Sequence, residues 1–180
     1  MSESLFVLTG GPGAGKSTLL EHLHRQSGLN IVEEGGRSII RQEIALGGDA
    51  LPWANRAAFC QKMFEHALES RDQALKAGGI WLFDRGLPDV LGYARLCGLA
   101  ASVELLRAAQ ELRHARTVFL APPWEAIYCN DTERRQDFAE AQRTATVMRA
   151  VYEELGYRVV ELPLESLEAR AEFLLARLGV

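Results

Sequence analysis

The residues with the plainest chemistry are the run Gly10 to Ser17, GGPGAGKS. They fit G-x-x-x-x-G-K-S/T at every fixed position, and they follow an apolar run and precede a helical pattern, as that motif requires. Glycine costs backbone entropy, so a cluster of four needs a use. Here the use is close approach: successive backbone N–H groups turn inward and meet phosphate oxygens. The following helix adds its positive dipole end and its free N–H groups. Lys16 supplies a mobile cation for the outer phosphates and Ser17 a hydroxyl for Mg²⁺. The expected nucleotide-binding residues are Gly11, Pro12, Gly13, Ala14, Gly15, Lys16, Ser17 and Thr18, with ATP and Mg²⁺ as the ligands.

A cradle for phosphate names no reaction; other residues must. The run IWLFDRG is an apolar strand ending in Asp84 and Arg85. A carboxylate there can hold Mg²⁺ or accept a proton from a bound hydroxyl. The run IVEEGGR places Glu34 and Arg37 at a second strand end, where a phosphate acceptor could sit and an arginine could steer it. In NDTERRQDFAEA, Arg134 and Arg135 stand side by side where the last long helix is expected to start. Cations are unfavourable against the helix dipole at that end. A mobile arm carrying them would bring positive charge to a phosphoryl group in transfer. GGDALPWANRAAF brings Trp53, Arg56 and Phe59 together, a candidate roof over a substrate, with Trp53 its aromatic contact.

These residues need strands that end beside one another. The pattern supplies five: Leu5 to Leu8, Ile31 to Val32, Ile80 to Phe83, Thr117 to Leu120 and Arg158 to Leu162. Between them run helical patterns at Ser17 to Gln26, Ser38 to Ala45, Asn55 to Ala77, Val90 to Leu96, Ala101 to Leu112 and Glu133 to Leu155, with Leu167 to Leu178 closing the chain. Alternation of this kind reads as an α/β layer fold around a parallel sheet. The 180 residues suit a single domain spanning 1–180, and the 48% apolar and 24% charged content is that of a globular protein. A net charge of −4 argues against nucleic acid or an anionic membrane as partner. Cys60, Cys97 and Cys129 are too few and too scattered for a disulfide framework, which fits a cytoplasmic protein. No apolar run approaches the ~18 residues of a membrane span, and the first residues do not read as a signal peptide.

Taken together, GGPGAGKST, EEGGR, FDRGLPD, ERRQ and YEELGYRVVELP resemble the AAA_28 group of P-loop ATPase/kinase-like proteins from about Leu5 to Pro163. That group is similar to the nicotinamide riboside kinase domain and, more distantly, to the deoxynucleoside kinases. The resemblance implies a P-loop NTPase fold with a five-stranded parallel sheet of order 2-3-1-4-5 and a small helical lid. It implies catalytic roles for Lys16, Glu34, Asp84, Arg134 and Arg135. Asp84, beside the P-loop strand, would share the metal with Ser17. Glu34, one strand further out, would be the acceptor-side base, with Glu33 the neighbour that could take its place. Glu34, Arg37, Trp53 and Arg85 would meet the substrate. The expected activity is transfer of the ATP γ-phosphoryl group to a hydroxyl of a small metabolite. A regulatory ATPase acting through a protein partner is the alternative.

Overall fold

The computed structural model describes residues 3–128 and 137–179. Its centre is a five-stranded, wholly parallel sheet: β1 (Leu5–Gly10), β2 (Asn30–Val32), β3 (Trp81–Asp84), β4 (Thr117–Ala121) and β5 (Arg158–Glu161). The spatial order is β2-β3-β1-β4-β5, the order the resemblance implies. Strand β1 is central because its apolar run can be buried on both faces. Its register pairs Leu5 with Trp81 and Leu8 with Asp84 on one side, and Val7 with Val118 on the other. Asp84 therefore lies level with the last turn of strand before the glycine loop.

The period of two along each strand divides the core. Leu8, Leu82 and Phe119 point to one face, where α1 (Lys16–Ser27) and α7 (Leu167–Leu178) cover them with Leu19, Leu23 and Leu174. Val7, Phe83 and Val118 point to the other, against Tyr152 of α6 (Phe138–Glu154) and Ala74 of α3 (Arg56–Ala77). A third cluster joins α3 to α4 (Leu87–Leu96) and α5 (Val103–Glu111) through Phe64, Leu87, Val90 and Leu105. The last helix, α2 (Gly35–Leu46), packs Ile39 and Ile40 against Leu51 and Phe59.

Helix ends follow ordinary side-chain chemistry. Asn55, Ser102, Asp137 and Ser166 each accept a hydrogen bond from a backbone N–H in the first turn of α3, α5, α6 and α7. Two starts differ from the sequence expectation by three residues. Helix α2 opens at Gly35 rather than Ser38, because extended Glu34 takes the cap position and both glycines enter the first turn. Helix α4 opens at Leu87 rather than Val90: Pro88 falls in the first turn, where its missing N–H costs nothing, and Asp89 caps the Gly86 amide. Helix α6 is described from Phe138, capped by Asp137, and the expected start at Glu133 lies outside the described residues. Among the described residues no helix is long and apolar enough to cross a membrane.

Candidate nucleotide and acceptor site

The glycine loop joins β1 to α1 at the carboxyl edge of the sheet. Gly10 has φ 137°, and a Cβ there would collide with the Ala121 carbonyl of the adjacent strand. Gly15, at φ 74°, caps α1 in the left-handed region that glycine adopts without strain. Lys16 is buried, and its Nζ donates to the carbonyls of Gly11 (2.8 Å) and Gly10 (3.4 Å). The ammonium is thus folded back across the loop. Of the other expected nucleotide-binding residues, Pro12 and Ala14 are buried, Gly13 is half-buried with φ 69°, and Ser17 and Thr18 are exposed on the first turn of α1.

Two neighbours brace this loop. A Cβ on Gly11 would collide with the Ala141 carbonyl, so α6 lies directly against the cradle. From α7, buried Arg170 donates through Nη2 to the Ala14 carbonyl at 3.0 Å. Burial lowers the pKa of this guanidinium, and its Nε has no hydrogen-bond partner among the described residues. Arg170 comes 156 residues after Ala14, and no local pattern marks it.

The end of β3 brings Asp84 to the loop. Ser17 Oγ donates to Asp84 Oδ2 at 3.3 Å, while Asp84 Oδ1 is buried and unpartnered among the described residues. Burial pushes the Asp84 carboxyl above the usual range; Lys16 pulls it down, and Glu34 pushes it up. A hydroxyl, a buried carboxylate oxygen in want of a cation and an adjacent phosphate cradle form a donor set that fits Mg²⁺, which takes few protein ligands and keeps waters and phosphates.

Beyond Asp84 lies a charge network. Arg85 has φ 76°, in the left-handed region, a conformation that costs a non-glycine residue about 1–3 kcal/mol. Its guanidinium is held from both sides: Nε donates to Glu34 Oε1 at 3.1 Å and Nη1 to Asp89 Oδ1 at 3.3 Å. Those two carboxylates keep Arg85 charged despite its burial. Asp89 is nearly inaccessible and accepts three further bonds, from the Thr9 hydroxyl, the Tyr152 hydroxyl (2.5 Å) and the Gly86 amide (2.9 Å). Burial and the Asp89 charge hold the Tyr152 phenol protonated, as a donor must be. Gly86 admits this crowding: a Cβ there would press on Val7, His114 and the Tyr152 hydroxyl at 3.1–3.3 Å. In FDRGLPD nothing local marks Asp89 for this network. Its placement three residues after Gly86, just before an apolar helix, signals only a cap.

Glu34, Asp84 and Arg85 face a cavity of about 320 Å³ bounded by the ends of β2 and β3 and by α2, α3, α4 and α6. Its walls are largely apolar, with Phe59, Met63, Phe83, Val90 and Met148 among them. Pro12 of the glycine loop also lines it, so cradle and cavity adjoin. Glu33 reaches the cavity too, but its side chain is mostly in solvent, whereas Glu34 is turned inward to Arg85. Trp53 stands at the mouth, 61% exposed, and Phe59 is buried within the wall. Arg37, on the first turn of α2, is not among the lining residues, and Arg56 turns back to the Pro52 carbonyl. Arg134 and Arg135 lie outside the described residues.

A parallel sheet of this order, with a glycine-lysine loop after its central strand and a cavity beside it, is the fold of the P-loop kinases. Solved structures that share it include the three that follow. The NadR protein in complex with NR is 18% identical, with TM-score 0.68 over 99% of this chain and 52% of that one. The deoxyadenosine kinase of M. mycoides with bound dATP is 12% identical, with TM-score 0.58 over 98% of this chain and 100% of that one. The shikimate kinase of Acinetobacter baumannii in complex with shikimate is 15% identical, with TM-score 0.57 over 98% and 93%. This chain spans about half the length of the NadR protein. Comparison with curated protein sequences finds no match. The AAA_28 family, described as an AAA domain, matches residues 5–170, and the chain belongs to it.

Proposed function

We propose that the protein is a small-molecule kinase that moves the γ-phosphoryl group of ATP to a hydroxyl of a metabolite held in the cavity. The observation that carries this reading is Glu34: a carboxylate held by Arg85 at 3.1 Å, facing a mostly apolar cavity that adjoins the phosphate cradle. A plain ATPase has no need of a lined chamber of about 320 Å³ at that place.

In this reading the glycine-loop amides and Lys16 hold the phosphates, and Lys16 swings from the Gly10 and Gly11 carbonyls onto the anion. Ser17 and Asp84 would hold Mg²⁺, which screens the phosphate charge when bound. Arg85 orients Glu34 and faces the acceptor. Glu34 takes the proton of the acceptor hydroxyl as that oxygen bonds to the γ-phosphorus, and the bond from the γ-phosphorus to its bridging oxygen breaks to release ADP. Transfer of this kind is mostly positioning and charge stabilisation, so an oriented carboxylate suffices as base. Arg134 and Arg135 supply the remaining positive charge from the lid. Trp53 covers the mouth of the cavity.

The test is ADP release from Mg·ATP in the presence of hydroxylated metabolites, one at a time, with the phosphorylated product identified by mass. Acceptor-dependent ADP release supports the kinase. Hydrolysis that no acceptor accelerates would remove it and favour the regulatory ATPase.

A further inference from the structure

His114 lies just before β4, at the amino-terminal edge of the sheet, yet its ring lines the same cavity as Glu34, Asp84 and Arg85 from the carboxyl edge. The cavity therefore runs inward across the sheet face, and His114 stands at its inner end. The ring is fixed. Its backbone N–H donates to the Tyr157 hydroxyl at 3.3 Å, the next residue's amide bonds to Leu5, and Phe83 packs edge-to-face at 5.1 Å. Only 1% of His114 is exposed, but neither Nδ1 nor Nε2 has a hydrogen-bond partner among the described residues. Buried polar atoms are almost always paired, and an unpaired imidazole costs the fold stability. A residue kept at that cost, against the wall of a cavity, is explained if the partner arrives with the ligand.

Resting on the reading of this cavity as the acceptor site, we propose that His114 is a specificity-determining residue that hydrogen-bonds an uncharged polar group at the inner end of the acceptor. Burial, with the nearby Arg71 charge, lowers the imidazole to a pKa of about 3, so at neutral pH it offers one N–H and one lone pair. The cavity wall also carries His66, Ser70, Tyr93 and Thr144, and Gly86, beside the His114 ring, adjoins the Arg85–Asp89 pair. Arg71 is not among the lining residues, and the lining Arg85 is already paired with Glu34 and Asp89, so none of these three charges is left over to balance a charged head. An ion placed there against Phe83 and Met148 would lose its water without compensation. The acceptor is thus a molecule with a hydroxyl at its outer end and an inner head, such as a carboxamide or a ring nitrogen, that both fits between apolar walls and pairs with a neutral imidazole.

The experiment uses benzamide and benzoate as probes of equal shape and different charge. The chain has four histidines, so ¹³C-labelled histidine gives a spectrum in which His114 is assignable by substitution. Titration with benzamide, with Mg²⁺ and a nonhydrolysable ATP analogue present, should move the His114 Cε1–H signal and leave His22 and His24 in place. Benzoate at the same millimolar concentration should not move it. His114→Leu should weaken benzamide binding by tenfold or more, keep the ATP-analogue affinity and melt no lower than the parent; His114→Gln should retain part of the binding. An unmoved His114 signal, benzoate binding as tight as benzamide, or unchanged benzamide binding in His114→Leu would overturn the proposal. The wild-type titration decides alone if the variants fail to fold. Loss of phosphoryl transfer with benzamide still on His114 would instead count against the kinase reading, so the two failures are distinguishable.

Discussion

The phosphate side and the acceptor side of the site are built by opposite means. The cradle is eight consecutive residues, and its work is done by backbone N–H groups, helix geometry and one lysine. The acceptor side has Glu34 from the end of β2, Arg85 and Asp89 around the start of α4, Thr9 from β1 and Tyr152 from α6, joined by side-chain bonds. A backbone cradle tolerates change in most side chains that surround it. A charge network does not, because removing one partner leaves the others buried and unpaired. The two halves should therefore respond differently to substitution.

The sharpest separation is expected at Glu34. Glu34→Gln keeps the shape and removes the base, so acceptor-dependent kcat should fall by about 10²–10⁴-fold. Affinity for the Mg²⁺ complex of an ATP analogue, measured by calorimetry, should stay within a few fold. Weakened nucleotide binding in a folded variant would break the division between the halves. Lys16→Ala acts on the other half. Loss of one charge-assisted contact, worth about 1.5–3 kcal/mol, should weaken the analogue by roughly ten- to a hundredfold, with little change in melting temperature. Unchanged affinity would remove Lys16 from the cradle.

Asp89→Asn tests the network itself. The amide cannot accept from Arg85, Thr9, Tyr152 and Gly86 as a carboxylate does, so unfolding free energy in urea should drop by about 1.5–3 kcal/mol. Glu34→Gln should cost less, since Glu34 is half-open to the cavity. If both cost the same, Asp89 is no more than one member of a surface pair.

The smallest effect has the opposite sign. Burial raises the Asp84 pKa in the folded state above its ordinary 3.8. Above that pH the unfolded chain gives up its proton first, so the wild-type fold loses stability as pH rises towards the raised value. Asp84→Asn removes that penalty. Its melting temperature should exceed the parent's at neutral pH, and the difference should vanish as pH falls below the ordinary value. Mg²⁺ with an ATP analogue should stabilise the parent more than the variant. A lower melting temperature at neutral pH would show that Lys16 attraction outweighs desolvation.

What was legible in the sequence follows the same division. Five strands and the bounds of α7 came from apolar runs, glycine stops and caps, all of which are local, whereas the strand order came from the family resemblance. The cradle was legible because its physics is confined to one loop. Arg85 and Glu34 were visible as strand-end charges, but not as partners, since 51 residues separate them. Asp89 caps α4 through the Gly86 amide, and its other partners are nearby Arg85, Thr9 on β1 and Tyr152 on α6. Arg170 beneath the glycine loop and His114 inside the cavity carry no periodic or motif signal. Their meaning comes from the Ala14 carbonyl that Arg170 reaches and from the His114 ring nitrogens left unpaired among the described residues, and both appear only when the chain is folded.

The reach of Asp89 also bears on how the molecule assembles. Its bonds to Thr9 and Tyr152 close loops of 80 and 63 residues. Loops of that length are completed late, after local turns and helices have formed. The acceptor half then waits for α6 to dock on the sheet, whereas the glycine loop has its own sequence at hand from the start and gains its Arg170 brace only when α7 arrives. The Gly86 amide, which donates to Asp89, reports that step: its hydrogen exchange should slow only when α6 is seated, and its protection in the native protein should approach that of the central strands.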